Sequence, residues 1–314
     1  MNKREILLSL LNPDTPTPYI PAAFFLHFDP VYHRGQAAVD KHLEYFQSTG
    51  MDFVKIQYEN RYPLIPEITK PADWGKMPCY GRDFYKDQIN IVKGLVDAAG
   101  KEALVIMTLY SPFMCAGHST GKKVLFEHLK ENPEKTKKGI EIITASLMGF
   151  VKGCIQAGID GFYHSTQGGE TDRFEGSSIF EECIKPYDLA LMEEIERSCE
   201  FNILHICDYE GGYTDLAPFL DYPGHVVNCS LKLGEKTLAG KEVSRMFGRP
   251  FMGGLDRHGV IASGGKEDVI ATVKTVCQDA PAKFILGADC TLPSKINWNI
   301  IRTAIETAHA YRLG

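Results

Sequence analysis

Three residues have types suited to metal chemistry: His205 and Cys207, two positions apart, and Cys290 far downstream. One imidazole and two thiolates are zinc donors, and three protein donors leave a fourth position open. An open position separates a catalytic zinc site from a structural one. His205 and Cys207 sit at the end of an apolar run read as a strand, where residues two apart point to the same side. The same trio also reads as two small buried thiols and a packed histidine, since free cysteine behaves as a small hydrophobe. Spacing alone leaves both readings open, so the elements carrying these residues matter.

Short apolar runs rich in β-formers occur at 22–28, 53–57, 103–108, 161–164, 201–206, 226–228, 251–255 and 284–287. Several are apolar throughout, as expected of parallel strands covered on both faces. Helical periodicity fills the intervals: Ile89, Val92, Leu95 and Val96 form one stripe, and Ile140, Ile143, Leu147, Phe150 and Val151 another. Eight strands alternating with helices predict an α/β fold, a (β/α)8 TIM barrel, with the whole chain 1–314 as one domain. An open doubly wound sheet is the rival, but it usually carries a glycine-rich turn after its first strand. The residues there are His27-Phe28-Asp29-Pro30, which cannot form that turn.

A barrel places chemistry at the C-terminal ends of its strands. Those ends carry His27 and Asp29, then Gln57, Glu59 and Arg61, then His164, Gln167 and Glu170. They continue with His205, Cys207 and Asp208, Asn228, Asp256 and His258, and finally Asp289 and Cys290. The opposite ends have no comparable cluster, and this asymmetry points to an enzyme. Glu170 is a candidate fourth, displaceable ligand or a solvated loop carboxylate. His164 is a ligand, a substrate contact or a packed histidine. Glu59 and Arg61 open a long segment stiffened by Pro63, Pro66, Pro71 and Pro78, suited to a lid or substrate wall, with a surface ion pair as the plain alternative. A second loop is expected from Tyr110 to Gly121, carrying Met114, Cys115 and His118. Its Gly117–Lys122 stretch lacks the spacing and the Ser/Thr of a phosphate loop. The glycine pairs 168–169, 211–212 and 253–254 suit tight turns or close backbone approach.

The bulk properties set bounds. No apolar run reaches the ~18 residues of a membrane span, and the N-terminal segment reads as a helix rather than a signal peptide. Nine scattered cysteines, an odd number, do not form a disulfide framework, so a cytoplasmic location is expected. A net charge of −6 argues against nucleic-acid binding.

From Gly158 to Arg312 the chain resembles the uroporphyrinogen decarboxylase superfamily. The resemblance rests on GIDGFYHSTQGGE, Lys185-Pro186-Tyr187, LHICD, FMGGLDR and FILGADCTLPSKINWNIIRTA. One branch of that superfamily decarboxylates uroporphyrinogen without a metal, using an arginine-rich N-terminal segment. The other comprises zinc-dependent methyltransferases that act on methyl-corrinoid proteins and a thiol such as coenzyme M. The arginine segment has no counterpart: the chain reads FFLHFDP there, with Arg34 the only arginine nearby. The resemblance therefore implies the methyltransferase branch, with zinc on His205, Cys207 and Cys290 and Glu170 as a fourth ligand. It further implies Asp208 and Asp289 as groups that orient His205 or tune the metal, and His27, Glu59, Arg61, His164 and His258 as substrate contacts. A corrinoid (methylcobalamin) would be the methyl donor or carrier, and a corrinoid protein and a small thiol the partners. Asp208 departs from the glycine usual in that branch, which points to an unusual substrate. The alternatives are a metal-independent porphyrinogen decarboxylase and a non-catalytic barrel that binds a corrinoid or tetrapyrrole.

Overall fold

The computed structural model describes residues 1–311, so Arg312, where the family-like stretch ends, lies outside the described residues. Seven parallel strands form one curled sheet in the order β1 (Phe53–Ile56), β2 (Leu104–Tyr110), β3 (Gly161–Thr166), β4 (Ile203–Ile206), β5 (Val226–Cys229), β8 (Phe251–Leu255) and β9 (Phe284–Ala288). Between β5 and β8, β6 (Lys232–Leu233) and β7 (Lys236–Thr237) form a separate antiparallel hairpin. Helices Arg82–Ala99, Pro133–Gln156, Lys185–Ser198, Gly240–Phe247, Lys266–Gln278 and Trp298–Ala310 make the crossovers and flank the sheet. The strands are buried almost throughout, as their apolar composition requires. This is the α/β barrel architecture expected from the alternation.

Two local expectations are corrected. The run 22–28 is not a continuous strand. It meets β9 and the turn after it through isolated parallel bridges, Ala22 to Leu286 and Leu26 to Leu292. On its other side a side chain replaces the ladder: Asp52, just before β1, accepts the Ala22 N–H on Oδ2 (2.7 Å) while its own N–H donates to the Ala22 carbonyl (3.0 Å). The segment thus spans the gap between β9 and β1 and closes the ring without becoming a regular strand. The region from Tyr110 to Gly121 is not a loop but the helix Pro112–Thr120. Ser111 caps it by accepting the Met114 N–H, and Pro112 occupies the first turn, where a missing N–H costs nothing. The crossover from β4 to β5 departs from the ideal repeat, having only the 3-10 turn Ala217–Phe219.

The proline-rich segment after β1 is a packed wall rather than a free flap. Trp74 is fully buried and donates from Nε1 to His128 Nδ1 (3.0 Å), and the Tyr62 and Tyr85 hydroxyls meet.

The closure depends on Asp52, whose carboxylate is fully buried. Besides Ala22 it receives the Tyr19 hydroxyl (2.7 Å) and lies 2.8 Å from Nε2 of His309 on the last helix. Asp52→Ala strands the buried Ala22 N–H and removes the partner of the half-buried Tyr19 and His309, and should lower unfolding stability by about 3 kcal/mol, read by chemical denaturation. A loss below about 0.5 kcal/mol would show that the seam does not rely on this carboxylate.

Candidate metal centre

Strand pleat decides which side chains meet. Successive residues alternate across a strand, and one phase of β1 to β4 faces a common cavity: Lys55 and Gln57, Thr108 and Tyr110, Tyr163 and Ser165, and His205. Gln167 and Cys207 continue that phase past β3 and β4, and Cys290 enters from the turn after β9. Parallel register sets Ser165 directly beside His205, and His205 beside Asn228. The cavity has a volume of about 460 Å³, within the range of small-molecule sites.

At its floor His205, Cys207 and Cys290 are all buried, and their donor atoms lie within 4.8 Å of one another. The two sulfurs are 3.9 Å apart, and Cys290 Sγ is 3.4 Å from His205 Nε2. A disulfide would need about 2.05 Å, so this is a pair of free thiols. A tetrahedral ion with Zn–S of about 2.3 Å and Zn–N of about 2.0 Å would space sulfurs about 3.8 Å apart and sulfur from nitrogen about 3.5 Å. The observed separations match both edges. The ring of His205 stacks on Tyr163 at 4.8 Å between centroids, and Tyr163 is held by its hydroxyl donating to Asn228 Oδ1. Asn228 in turn donates to the carbonyls of Met252 and Ala288, tying three strands together beneath the site. Gln167 donates to Cys207 Sγ (3.3 Å). The Cys290 thiol and the His205 ring hold the Cys207 thiol well below the ordinary range, whereas Cys290, sharing its proton with Cys207, is raised.

The other residues singled out in the sequence divide between the cavity and the scaffold. His27, Arg61 and His258 line the cavity. Glu59 stands behind His27, 2.8 Å from its Nδ1. His164 has the opposite strand phase and is turned outward, 3.8 Å from Asp188 on helix Lys185–Ser198, away from the cavity. Glu170 does not join the donor cluster: its carboxylate accepts from Arg173 and from the Gly168 N–H (2.8 Å). Gly168 has φ +104, and a Cβ there would lie 2.6 Å from Ile184 Cδ1, so this turn needs glycine. Asp208 and Asp289 do not contact His205. Both accept from Arg257, and His205 Nδ1 has no hydrogen-bond partner among the described residues.

Two functional candidates escaped the sequence reading. Lys55 lies in the middle of an apolar strand and is 4 % exposed. Its ammonium sits over the rings of Phe25 (4.3 Å) and Tyr163 (4.5 Å) and donates to Gln57 Oε1 (2.6 Å). Burial pushes it down to about 7, against the pull of Cys290, Glu59 and Cys207. A lone lysine in a strand whose other residues are apolar was the available signal. The second is Arg257, the last residue of the quoted FMGGLDR stretch, to which no role was given.

The comparisons with known proteins agree with this architecture. No curated protein matches the chain. Among solved structures, a methyltransferase from Methanosarcina mazei superposes with a TM-score of 0.74 at 13 % identity, covering 98 % of each chain. A B12-independent methionine synthase from Shewanella sp. W3-18-1 gives a TM-score of 0.58 at 14 % identity, covering 93 % of this chain and 97 % of that one. A putative vitamin-B12 independent methionine synthase from Listeria monocytogenes gives 0.54 at 13 %, with the same coverage. At such identities the likeness establishes the fold. The family model for uroporphyrinogen decarboxylase (URO-D) matches residues 44–311, most of the chain, and the chain therefore belongs to that family.

Proposed function

We propose that this chain is a zinc-dependent methyltransferase that moves a methyl group from a corrinoid carrier to a small anionic thiol. The observation that carries the reading is the buried His205, Cys207 and Cys290 trio on the floor of the cavity, with its sulfur–sulfur and Cys290–His205 separations at zinc edge lengths. The fold shared with a methyltransferase and with methionine synthases supports it. Bound by these three side chains, zinc would hold a substrate thiol as thiolate, the nucleophilic form, at neutral pH. In the transfer an S–CH₃ bond forms and the Co–CH₃ bond of the corrinoid substrate breaks, with its electron pair left on cobalt and the thiol proton released to solvent.

The residues of the chain define what this thiol looks like. Lys55, Arg61 and Lys122 line the cavity against a single lining carboxylate, Glu210, which Lys122 already engages. Lys55 and Arg61 have no carboxylate within ion-pair distance among the described residues. Arg61 is exposed, but Lys55 is buried, and a cation buried without a counter-ion favours a ligand that brings one. Tyr110, Phe113 and Phe126 supply an apolar wall and keep water from the reacting end. The corrinoid, too large for this cavity, would present its methyl face at the mouth, with its own carrier protein as partner. A porphyrinogen decarboxylase reading has the family model behind it but lacks the arginine-rich segment.

Purified protein should carry close to one zinc per chain, and Cys207→Ser and Cys290→Ser should each remove most of it, measured by elemental analysis. A zinc-free wild type, or zinc content unaffected by both substitutions, would sink the metal reading. With methylcobalamin and a panel of thiols, methylation should favour thiols bearing a carboxylate or sulfonate. Lys55→Met should retain zinc yet raise KM for those substrates by about 10- to 100-fold, the scale of one buried charge-assisted contact, with little change for neutral thiols. Equal effects on both classes would remove Lys55 from substrate recognition. Turnover of uroporphyrinogen insensitive to a chelator would replace the proposal with decarboxylation.

A further inference from the structure

The two cysteines approach each other from turns, not from paired strands. Cys207 is the first residue past β4 and Cys290 the second past β9, and β5 and β8 stand between those strands in the sheet. No ladder register therefore sets the sulfur separation. Arg257, the second residue past β8, spans the gap. Its Nη1 donates to Asp208 Oδ1 (2.7 Å) and Asp289 Oδ2 (3.2 Å), and its backbone N–H donates to Asp289 Oδ1 (2.8 Å). Asp208 directly follows Cys207, and Asp289 directly precedes Cys290. One side chain thus grips the backbone neighbour of each thiol. The Asp289 N–H is itself fixed to the Leu255 carbonyl at the end of β8 (2.9 Å). Arg257 is 9 % exposed and is not among the residues lining the cavity, so contact with substrate is not its role.

We propose that Arg257 is the positioning residue of the centre, a clamp that sets the Cys207–Cys290 separation by drawing Asp208 and Asp289 onto one guanidinium. The inference rests on the reading of the trio as a metal site. It assigns Asp208, the residue that departs from the glycine usual in the branch, a structural partner. The clamp also answers an electrostatic need, because the carboxylates of Asp208 and Asp289 converge on one turn cluster and their mutual repulsion would spread it. Arginine suits the task where lysine does not: the Nη1 that meets both carboxylates is held in a rigid guanidinium plane with its hydrogens in fixed directions, while an ammonium acts as a point charge.

The test compares wild type, Arg257→Met, Arg257→Lys and Asp208→Asn, each first shown to be folded by its thermal transition. Zinc affinity is read by competition with a chromophoric chelator, and site geometry by the thiolate-to-cobalt absorption of the cobalt-substituted protein. Arg257→Met should weaken zinc binding about 10- to 100-fold, the range found when partners of metal ligands are removed, and alter the cobalt spectrum. Arg257→Lys should recover only part of both. Asp208→Asn, which keeps shape and removes one charged anchor, should weaken binding less and carries the test if Arg257→Met does not fold. Wild-type affinity and an unchanged cobalt spectrum in the folded variants would overturn the clamp. A wild type that binds neither metal refutes the zinc reading instead. The clamp is then judged on the metal-free protein: under mild oxidant the pair, spread in the variants, should close to a Cys207–Cys290 disulfide several-fold more slowly than in wild type, and equal rates would overturn it.

Discussion

The two-residue period of the parallel strands is the constraint on which everything else here depends. It sends Lys55, Thr108, Tyr163, Ser165 and His205 into one cavity and their neighbours into the helical layer. Because the strands are parallel and in register, these phases stack side by side instead of scattering, and Ser165, His205 and Asn228 form a row across three strands. The pleat also disposes of His164, which is chemically as good a ligand as His205 but points the other way.

A second level of organisation is electrostatic. The floor of the cavity gathers two thiols and an imidazole, with two carboxylates directly behind the thiols. Positive charge is supplied from two directions: Arg257 behind the thiols, held by Asp208 and Asp289, and Lys55 in front, held between two aromatic rings with an amide oxygen. The first meets both carboxylates within the protein. The second has no carboxylate within ion-pair distance among the described residues and faces the cavity. A buried charge left unpaired is costly, so its position beside the donor trio carries information about the ligand that completes it.

The fold around this centre is shared at very low identity with proteins bearing methyltransferase and methionine synthase names. The connections of this barrel depart from the ideal repeat. The β4 to β5 crossover has only a 3-10 turn, the segment after β1 is packed down by Trp74 and Tyr62, and the seam between β9 and β1 is joined by the Asp52 carboxylate. Such changes concern crossovers and loops, where a barrel tolerates variation without disturbing the phase of its strands.

By itself the sequence determined what is periodic. The apolar runs located seven sheet strands, the alternation with helices predicted the barrel, and the His205–Cys207 spacing put both donors on one face. The phase difference between His164 and Tyr163 was equally legible in the strand. The Ser111-Pro112 pair also marked a helix start where a loop was expected. Only the tertiary structure decided what depends on long-range closure. It brought Cys290 to within 3.9 Å of Cys207, gave Glu170 to Arg173 and Gly168, and turned Asp208 and Asp289 toward Arg257. It also made Lys55 a cavity residue. The physical reason is that strand and helix patterns are local, set by neighbours along the chain. The partner of a carboxylate or a thiol in a turn is chosen by whichever remote element the closed barrel places beside it.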